Sequence, residues 1–241
     1  MTVSETITRQ IEKFQEATSF GYADLSISRH DFSSAAKALE RLQKKGLIQK
    51  LSKGKFYKPK QTVFGEKRPD EQQILKPYLY HQGKRIAYIT GNALYNQLGL
   101  TTQVPAVIQI ASRDKRITIN TGAIKATPVK SYVDVTEDNY QMLGFLDAIK
   151  DLKQIPDVIV NEAITVIQSR IAKLNDREIQ QLTDYALAYP PRVRALVGAI
   201  LENVNKLSRL AVLRDSLNPL TQFDIGVAPT CLPTAANWNI R

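Results

Sequence analysis

Apolar side chains recur at helical spacing between Phe32 and Lys44. At about 100° per residue, Phe32, Ala35, Ala36, Leu39 and Leu42 fall on one side of a helix, and Ser34, Lys37, Arg41 and Lys44 on the other. The pattern predicts one face in the core and one basic face in solvent. Lys44 and Lys45 then precede Gly46, the order expected where cations meet the carbonyl end of a helix and the chain turns through a left-handed conformation. Residues 47–51 and 56–58 are short β-prone runs flanking Ser52-Lys53-Gly54-Lys55, whose Gly54 can take positive φ. They predict a hairpin with lysines on its tip. Upstream, Ile7, Ile11 and Phe14 predict a helix over residues 4–17, with Thr2 and Glu5 at capping-box spacing. Residues 20–25 offer a turn and a short helix with Tyr22 and Leu25 toward the core. Three helices and a hairpin within residues 1–60 are the parts of a winged helix-turn-helix.

Residues 61–69 are polar, contain Gly65 and Pro69 and lack periodicity, which predicts a linker and a domain boundary. In residues 70–241 a helix is expected over 70–81, a strand over 85–89 and a short helix over 90–100 closed by Gly99. Val-, Ile- and Thr-rich runs at 104–112, 116–119, 123–128 and 131–135 predict a small, mostly antiparallel sheet. After Glu137 the period becomes helical, with helices expected over 140–152, 157–174, 176–188, 191–204 and 206–217. Pro191 suits a first helical position. The expected class is α+β: a winged helix-turn-helix, then a small mostly antiparallel sheet with a C-terminal helical lobe over about 140–217 and an apolar tail over 218–241. The tail, with Trp238, either packs on its own lobe or offers a partner an aromatic anchor.

Charge sharpens the first domain. Between Arg29 and Lys60 ten Lys and Arg face only Asp31 and Glu40, so eight of the chain's formal net charge of +10 sit in 32 residues. A charge stripe alone describes any solvated helix face. A helix that fits the major groove beside a basic loop that reaches phosphates describes a DNA-binding head, and double-stranded DNA is the expected partner. Arg29, Ser33, Ser34, Lys37 and Arg41 lie in or just before the first two turns, the portion that reaches base edges, and Lys44 continues the stripe. Lys50, Lys53, Lys55 and Lys58 are placed for phosphates. His30 contacts a phosphate or base edge, or serves only the turn. Arg113, Lys115 and Arg116 form either a second basic patch or a charged hairpin tip.

Catalytic patterns are missing: there is no Gly-x-Gly-x-x-Gly, no phosphate-binding loop, no Gly-x-Ser-x-Gly and no His-Glu-x-x-His. With Cys231 as sole cysteine and His30 and His81 as sole histidines, no disulfide, zinc-ligand spacing or cofactor is expected. Asp134, Glu137 and Asp138 could be imagined around a metal, and a capping turn before the helix at Tyr140 also accounts for them. No apolar run reaches about 18 residues and residues 1–10 carry no signal region, so a soluble, cytoplasmic protein without membrane contact is expected.

Three segments together carry a family resemblance: Phe-Gly-Tyr-Ala-Asp-Leu at 20–25, Leu-Ser-Lys-Gly-Lys-Phe-Tyr-Lys-Pro at 51–59, and Tyr-Ile-Thr-Gly-Asn-Ala-Leu-Tyr-Asn-Gln-Leu-Gly-Leu-Thr-Thr-Gln-Val-Pro at 88–105. Over about residues 4–130 the chain resembles the AbiEi-type antitoxins of bacterial abortive-infection (type IV) toxin–antitoxin systems, with 90–105 as the most specific part. The resemblance implies a winged helix that represses its own operon at inverted repeats. It further implies a second domain that helps neutralise a nucleotidyltransferase-like toxin, usually without a stable complex. The Gly-Ser and Asp-x-Asp pattern of such nucleotidyltransferases is absent here, which places the chain on the antitoxin side. The expected function is a non-enzymatic, DNA-binding repressor with antitoxin activity. The rival is an interaction factor whose second domain binds a protein directly while the basic head only localises it to nucleic acid.

Overall fold

Thr2 caps α1 (Val3–Glu12): its hydroxyl accepts the Glu5 N–H at 3.3 Å, and the Glu5 carboxylate accepts the Thr2 N–H at 3.0 Å. The capping box read from the sequence therefore satisfies two orphan donors reciprocally. The computed structural model describes residues 2–28, 30–62, 65–67, 71–121 and 124–241. It is a mixed α+β structure that divides into two units, Met1–Ala87 with Ile119–Lys125, and Tyr88–Thr118 with Ala126–Arg241.

In the first unit α1 stops at Glu12 instead of running on to residue 17, because the chain leaves the helix to pair with a strand. Ala17 takes φ +59°, its N–H donates to the Lys58 carbonyl at 2.8 Å, and the Lys58 N–H donates to the Thr18 carbonyl at 3.0 Å. β1 (Ser19–Gly21) follows, then a 3-10 turn at Tyr22–Asp24 held by the Asp24 carboxylate on the Gly21 N–H at 2.7 Å. α2 (Phe32–Lys44), β2 (Gln49–Ser52) and β3 (Lys55–Tyr57) complete a three-stranded antiparallel sheet in the order β1-β3-β2. Ile7, Ile11, Phe20, Leu25, Ala35, Ala38, Leu39, Leu42, Ile48 and Phe56 form the core. Phe32, expected on the buried face, is instead 51% exposed and stacks on Tyr22 at 4.5 Å, while Ala38 takes a core place. The buried stripe of α2 is rotated toward alanines small enough to let α1 approach.

The expected boundary at 61–69 is not where the chain divides. β4 (Lys60–Thr62) pairs antiparallel with β5 (Gly65–Lys67), and α3 (Glu71–Leu79) docks on β1. Pro77 explains part of that docking. Lacking an N–H, it leaves the Gln73 carbonyl without its helical donor, and the buried Ser19 hydroxyl donates to that oxygen instead. The Tyr78 hydroxyl bonds to Ser52, and the Lys55 ammonium donates to the Pro77 carbonyl while lying 5.2 Å from the centre of the Tyr78 ring. A helix tied at both ends to the sheet belongs to the same unit. β6 (Tyr80–His81) and β7 (Lys84–Arg85) form a second antiparallel pair beyond it.

The second unit takes up nearly all of β8 (Ala87–Thr90), then α4 (Asn92–Gln97), β9 (Ile108–Ser112) and most of β11 (Lys125–Lys130), while β10 (Ile119–Asn120) lies in the segment that groups with the first unit. One pairing departs from the antiparallel pattern: β11 runs parallel to β9, with Ala126 opposite Ile108 and Lys130 opposite Ser112. The chain between them is long enough to return to the starting end, as a parallel pair requires. Residues 131–135 are not a strand. The helices follow as expected: α5 (Tyr140–Lys150), α6 (Val160–Ala172), α7 (Asp176–Ala186), α8 (Pro191–Asn203) and the shorter α9 (Leu210–Asp215).

α8 is the centre of this lobe. Val193 and every residue from Ala195 to Leu201 are buried, as befits a helix apolar all round. The tail closes one side of it: the Trp238 ring lies against Gly198, where a Cβ would stand 2.2 Å from the ring, and the indole N–H donates to the Glu202 carboxylate at 2.6 Å. Arg214 lies 4.8 Å from the centre of the Trp238 ring, and the tail is pinned further by a parallel bridge between Phe223 and Ile240. Packing on its own lobe, and not availability to a partner, describes Trp238.

Asp147 of α5 is a buried carboxylate, 2% exposed. One oxygen accepts from the Tyr88 hydroxyl and the Thr90 hydroxyl, each at 2.8 Å, and the other accepts from the Tyr189 hydroxyl at 3.1 Å. The Tyr95 hydroxyl donates to the Asp147 carbonyl at 3.3 Å and to the Asp151 carboxylate at 2.6 Å. Burial pushes the Asp147 carboxyl above the usual carboxylate range although its hydroxyl partners pull the other way, and burial likewise raises the Tyr88, Tyr95 and Tyr189 phenols. Because the native state binds this proton more tightly than the unfolded chain, stability is greatest below the unfolded value. It is lost as pH rises through the folded value. In Asp147→Asn that loss should vanish, so the unfolding free energy of wild type relative to variant should decline steadily from the acidic carboxylate range toward neutrality. A difference independent of pH in urea titrations would refute the assignment.

Candidate nucleic-acid interface

α2 begins after a turn in which the Ser28 hydroxyl donates to the Asp31 carboxylate at 2.7 Å and the Asp31 N–H donates to the Ser28 carbonyl at 3.1 Å. It ends in a Schellman arrangement: Gly46 takes φ +71°, its N–H donates to Gln43 at 2.9 Å and the Leu47 N–H donates to Leu42 at 3.0 Å. A Cβ on Gly46 would meet nothing within 4 Å, so the glycine is required by backbone conformation and not by space. The chain then runs directly into β2, and the β2–β3 tip is turned by Gly54 at φ +72° after an irregularity between Lys50 and Ser52.

With its opposite face sealed in the core, α2 exposes Ser33, Ser34, Lys37, Arg41 and Lys44 together. Lys44 is partly neutralised by Glu40, 3.0 Å away and one turn back, and that ammonium holds the Glu40 carboxyl below the usual carboxylate range. His30 is exposed in the turn before the helix, and Lys50 and Lys53 are exposed on the hairpin. Arg29 lies outside the described residues. Lys45, read only as part of the helix stop, is a further exposed cation at this end of the helix.

Two sequence-chosen lysines face inward. The Lys58 ammonium donates to the Glu12 and Phe14 carbonyls, both at 2.9 Å, and so satisfies the end of α1. The Lys55 ammonium is held by Pro77 and Tyr78, and its stem lies against Gly21, where a Cβ would come within 3.1 Å of it. Neither has its charge turned outward for a phosphate. The reason is the position of acceptors distant in sequence, carbonyls at the end of α1 for Lys58 and in α3 for Lys55, and composition does not say which lysine meets one. Arg113 is similarly engaged, donating to the Tyr132 carbonyl at 2.7 Å and lying 3.9 Å from Asp134. The turn at Asp134–Asp138 is organised by Asn139, whose side chain accepts from the Thr136 N–H and donates to the Asp134 carbonyl, each at 2.8 Å. Among the described residues no group of three or more His, Cys, Asp or Glu side chains could hold a metal ion, and no helix is long and apolar enough to cross a membrane.

A model of the family of unknown function DUF6088 matches residues 6–178. Among curated proteins none matches. The crystal structure of the RV2827C protein from Mycobacterium tuberculosis is similar with a TM-score of 0.53 at 10% identity, covering 93% of this chain and 85% of that one. Similarity at that identity speaks for the fold alone.

The inward and outward lysines separate in a stability measurement. Lys58→Ala removes two charge-assisted bonds and should lower the unfolding free energy by about 1 to 3 kcal/mol, whereas Lys53→Ala should change it by less than about 0.5 kcal/mol. Equal effects in urea unfolding would show that Lys58 is not holding the end of α1.

Proposed function

The chain belongs to DUF6088, a family of unknown function, and we propose that its first unit is a winged helix-turn-helix that binds double-stranded DNA, with α2 in the major groove and the β2–β3 hairpin as wing. The observation that carries this reading is the single helix face presenting Lys37, Arg41 and Lys44 to solvent, continuous through Gly46 with a hairpin whose tip exposes Lys53. Ser33, Ser34, Lys37 and Arg41 are placed to reach base edges, and Lys50 and Lys53 to reach phosphates. The resemblance to AbiEi-type antitoxins extends the reading. The protein represses its own operon at inverted repeats in the bacterial cytoplasm and counteracts a nucleotidyltransferase-like toxin, with no catalytic step or cofactor of its own.

If about 4 to 6 phosphates are neutralised, log K against log salt should slope near −4 to −5 in a mobility-shift series on the promoter. Arg41→Ala or Lys37→Ala should cost about 1 to 3 kcal/mol and relax preference at one base pair, whereas Lys53→Ala should weaken all sequences alike. Affinity that stayed flat across moderate salt would exclude DNA binding of this kind. Equal affinity for promoter and random DNA would favour a factor that binds a protein partner and only lodges on nucleic acid.

The antitoxin step has its own test. Co-expression of the neighbouring nucleotidyltransferase-like toxin with the full-length protein should restore growth. Growth should also be restored when Arg41→Ala weakens operator binding, because neutralisation is assigned to the second unit. Failure of the wild-type protein to rescue would leave a DNA-binding regulator alone.

A further inference from the structure

The hairpin that follows α3 has no part in the interface described above. β6 and β7 pair Tyr80 with Arg85 and His81 with Lys84, and the two residues between them, Gln82 and Gly83, take φ +50° and +74°. Two successive positive φ values make a type I′ turn, whose twist matches the flanking strands, so the tip is short and stiff. One cross-strand pair braces it: the Arg85 guanidinium lies 4.7 Å from the centre of the Tyr80 ring and donates to the Tyr80 hydroxyl at 2.6 Å. The other pair places an imidazole opposite an ammonium. His81 and Lys84 are both exposed, and neither has an acidic partner among the described residues. Donors set side by side on a rigid turn, without a carboxylate, suit an anion.

Hydrogen bonds of α3 fix where this turn stands within the first unit. Tyr78 bonds to Ser52 and the Pro77 carbonyl accepts from Lys55, and Ser52 and Lys55 are the pair that closes β2 and β3 around Lys53 and Gly54. His81 is three residues beyond Tyr78, about 10 Å of extended chain at most. Both hairpin tips are thus anchored to the last turn of α3, one through Ser52 and Lys55 and the other by direct continuation of the chain.

We infer that the β6–β7 tip is a second phosphate-contacting loop, in which Lys84, with His81 as an additional donor, grips the DNA backbone beside the Lys53 tip. The inference rests on the DNA-binding reading and enlarges its footprint. Lys84 reads no base, so its removal acts alike on every sequence.

The test compares full-length wild type, Lys84→Ala and Lys53→Ala on a promoter duplex and on a random duplex of equal length. Lys84→Ala should weaken both duplexes by the same factor and reduce the magnitude of the salt slope by about 0.9, with an unchanged melting temperature. Between about 50 and 200 mM salt the variant should then lose about 3.5-fold less affinity than wild type. An altered slope for Lys53→Ala with none for Lys84→Ala would overturn the second loop and leave the winged-helix reading intact. Loss of promoter preference alone in Lys84→Ala would overturn the phosphate role. No salt dependence in any of the three proteins would sink the DNA-binding reading and this inference with it.

Discussion

Buried oxygens need donors, and meeting that need decides where the elements of each unit join. Leaving one such group unpaired costs about 1 to 3 kcal/mol against a total stability of about 5 to 15 kcal/mol, so a few failures would unfold the domain. Asp147 meets the requirement with hydroxyls from Tyr88, Thr90 and Tyr189, which draws β8, α5 and the segment before α8 to one point. The Gln73 carbonyl, deprived of a donor by Pro77, meets it with Ser19 and so draws α3 onto β1. The carbonyls of Glu12 and Phe14 meet it with Lys58, which draws the end of α1 to the far end of the β3 ladder. Apolar area supplies most of the driving force, but these polar ties choose among the arrangements that bury similar area.

The same requirement explains why lysines close together in sequence divide into two populations. Lys58 and Lys55 find backbone carbonyls within the fold and give up their availability to an external anion. Lys50 and Lys53 find none among the described residues and are exposed. The local concentration of positive charge is thus only partly a binding surface. What remains outward is narrower than the composition suggests, and most of it lies on one face of α2 and on the β2–β3 hairpin.

The helices of the lobe and the first-unit hairpin were legible because their signals are local: period in α5 to α8, Pro191 at a helix start, Gly46 and Gly54 at positive φ. The exposed stripe Lys37, Arg41 and Lys44 was legible for the same reason, since a helix face follows from spacing alone. Contacts distant in sequence were not. Nothing local says that Phe32 is displaced outward by Ala38, that β9 and β11 run parallel, or that α3 joins the first unit across residues 61–69. Asp147 was missed altogether, although a lone carboxylate between Leu143 and Ile149 on an apolar helix was a signal that a buried partner set had to exist. The segment 90–105, singled out for its resemblance, supplies two of the hydroxyls around α5, Thr90 and Tyr95.

The family match ends at residue 178, inside α7, yet the second unit cannot be completed at that point. Leu143 and Leu146 of α5, Ile164 and Ile167 of α6, and Ile179 and Leu182 of α7 share one core with α8 and the tail. α8 has no solvent face to spare, and Trp238 fills the notch at Gly198 that no larger residue leaves open. Residues 191–241 are thus part of the same folding unit as the matched residues of α5, α6 and the start of α7. The first unit keeps a core of its own, ten buried side chains from Ile7 to Phe56, with α3 docked on β1. A core of its own and short, stiff hairpins hold the exposed cations of this unit in place, so that fixing them further costs little backbone entropy.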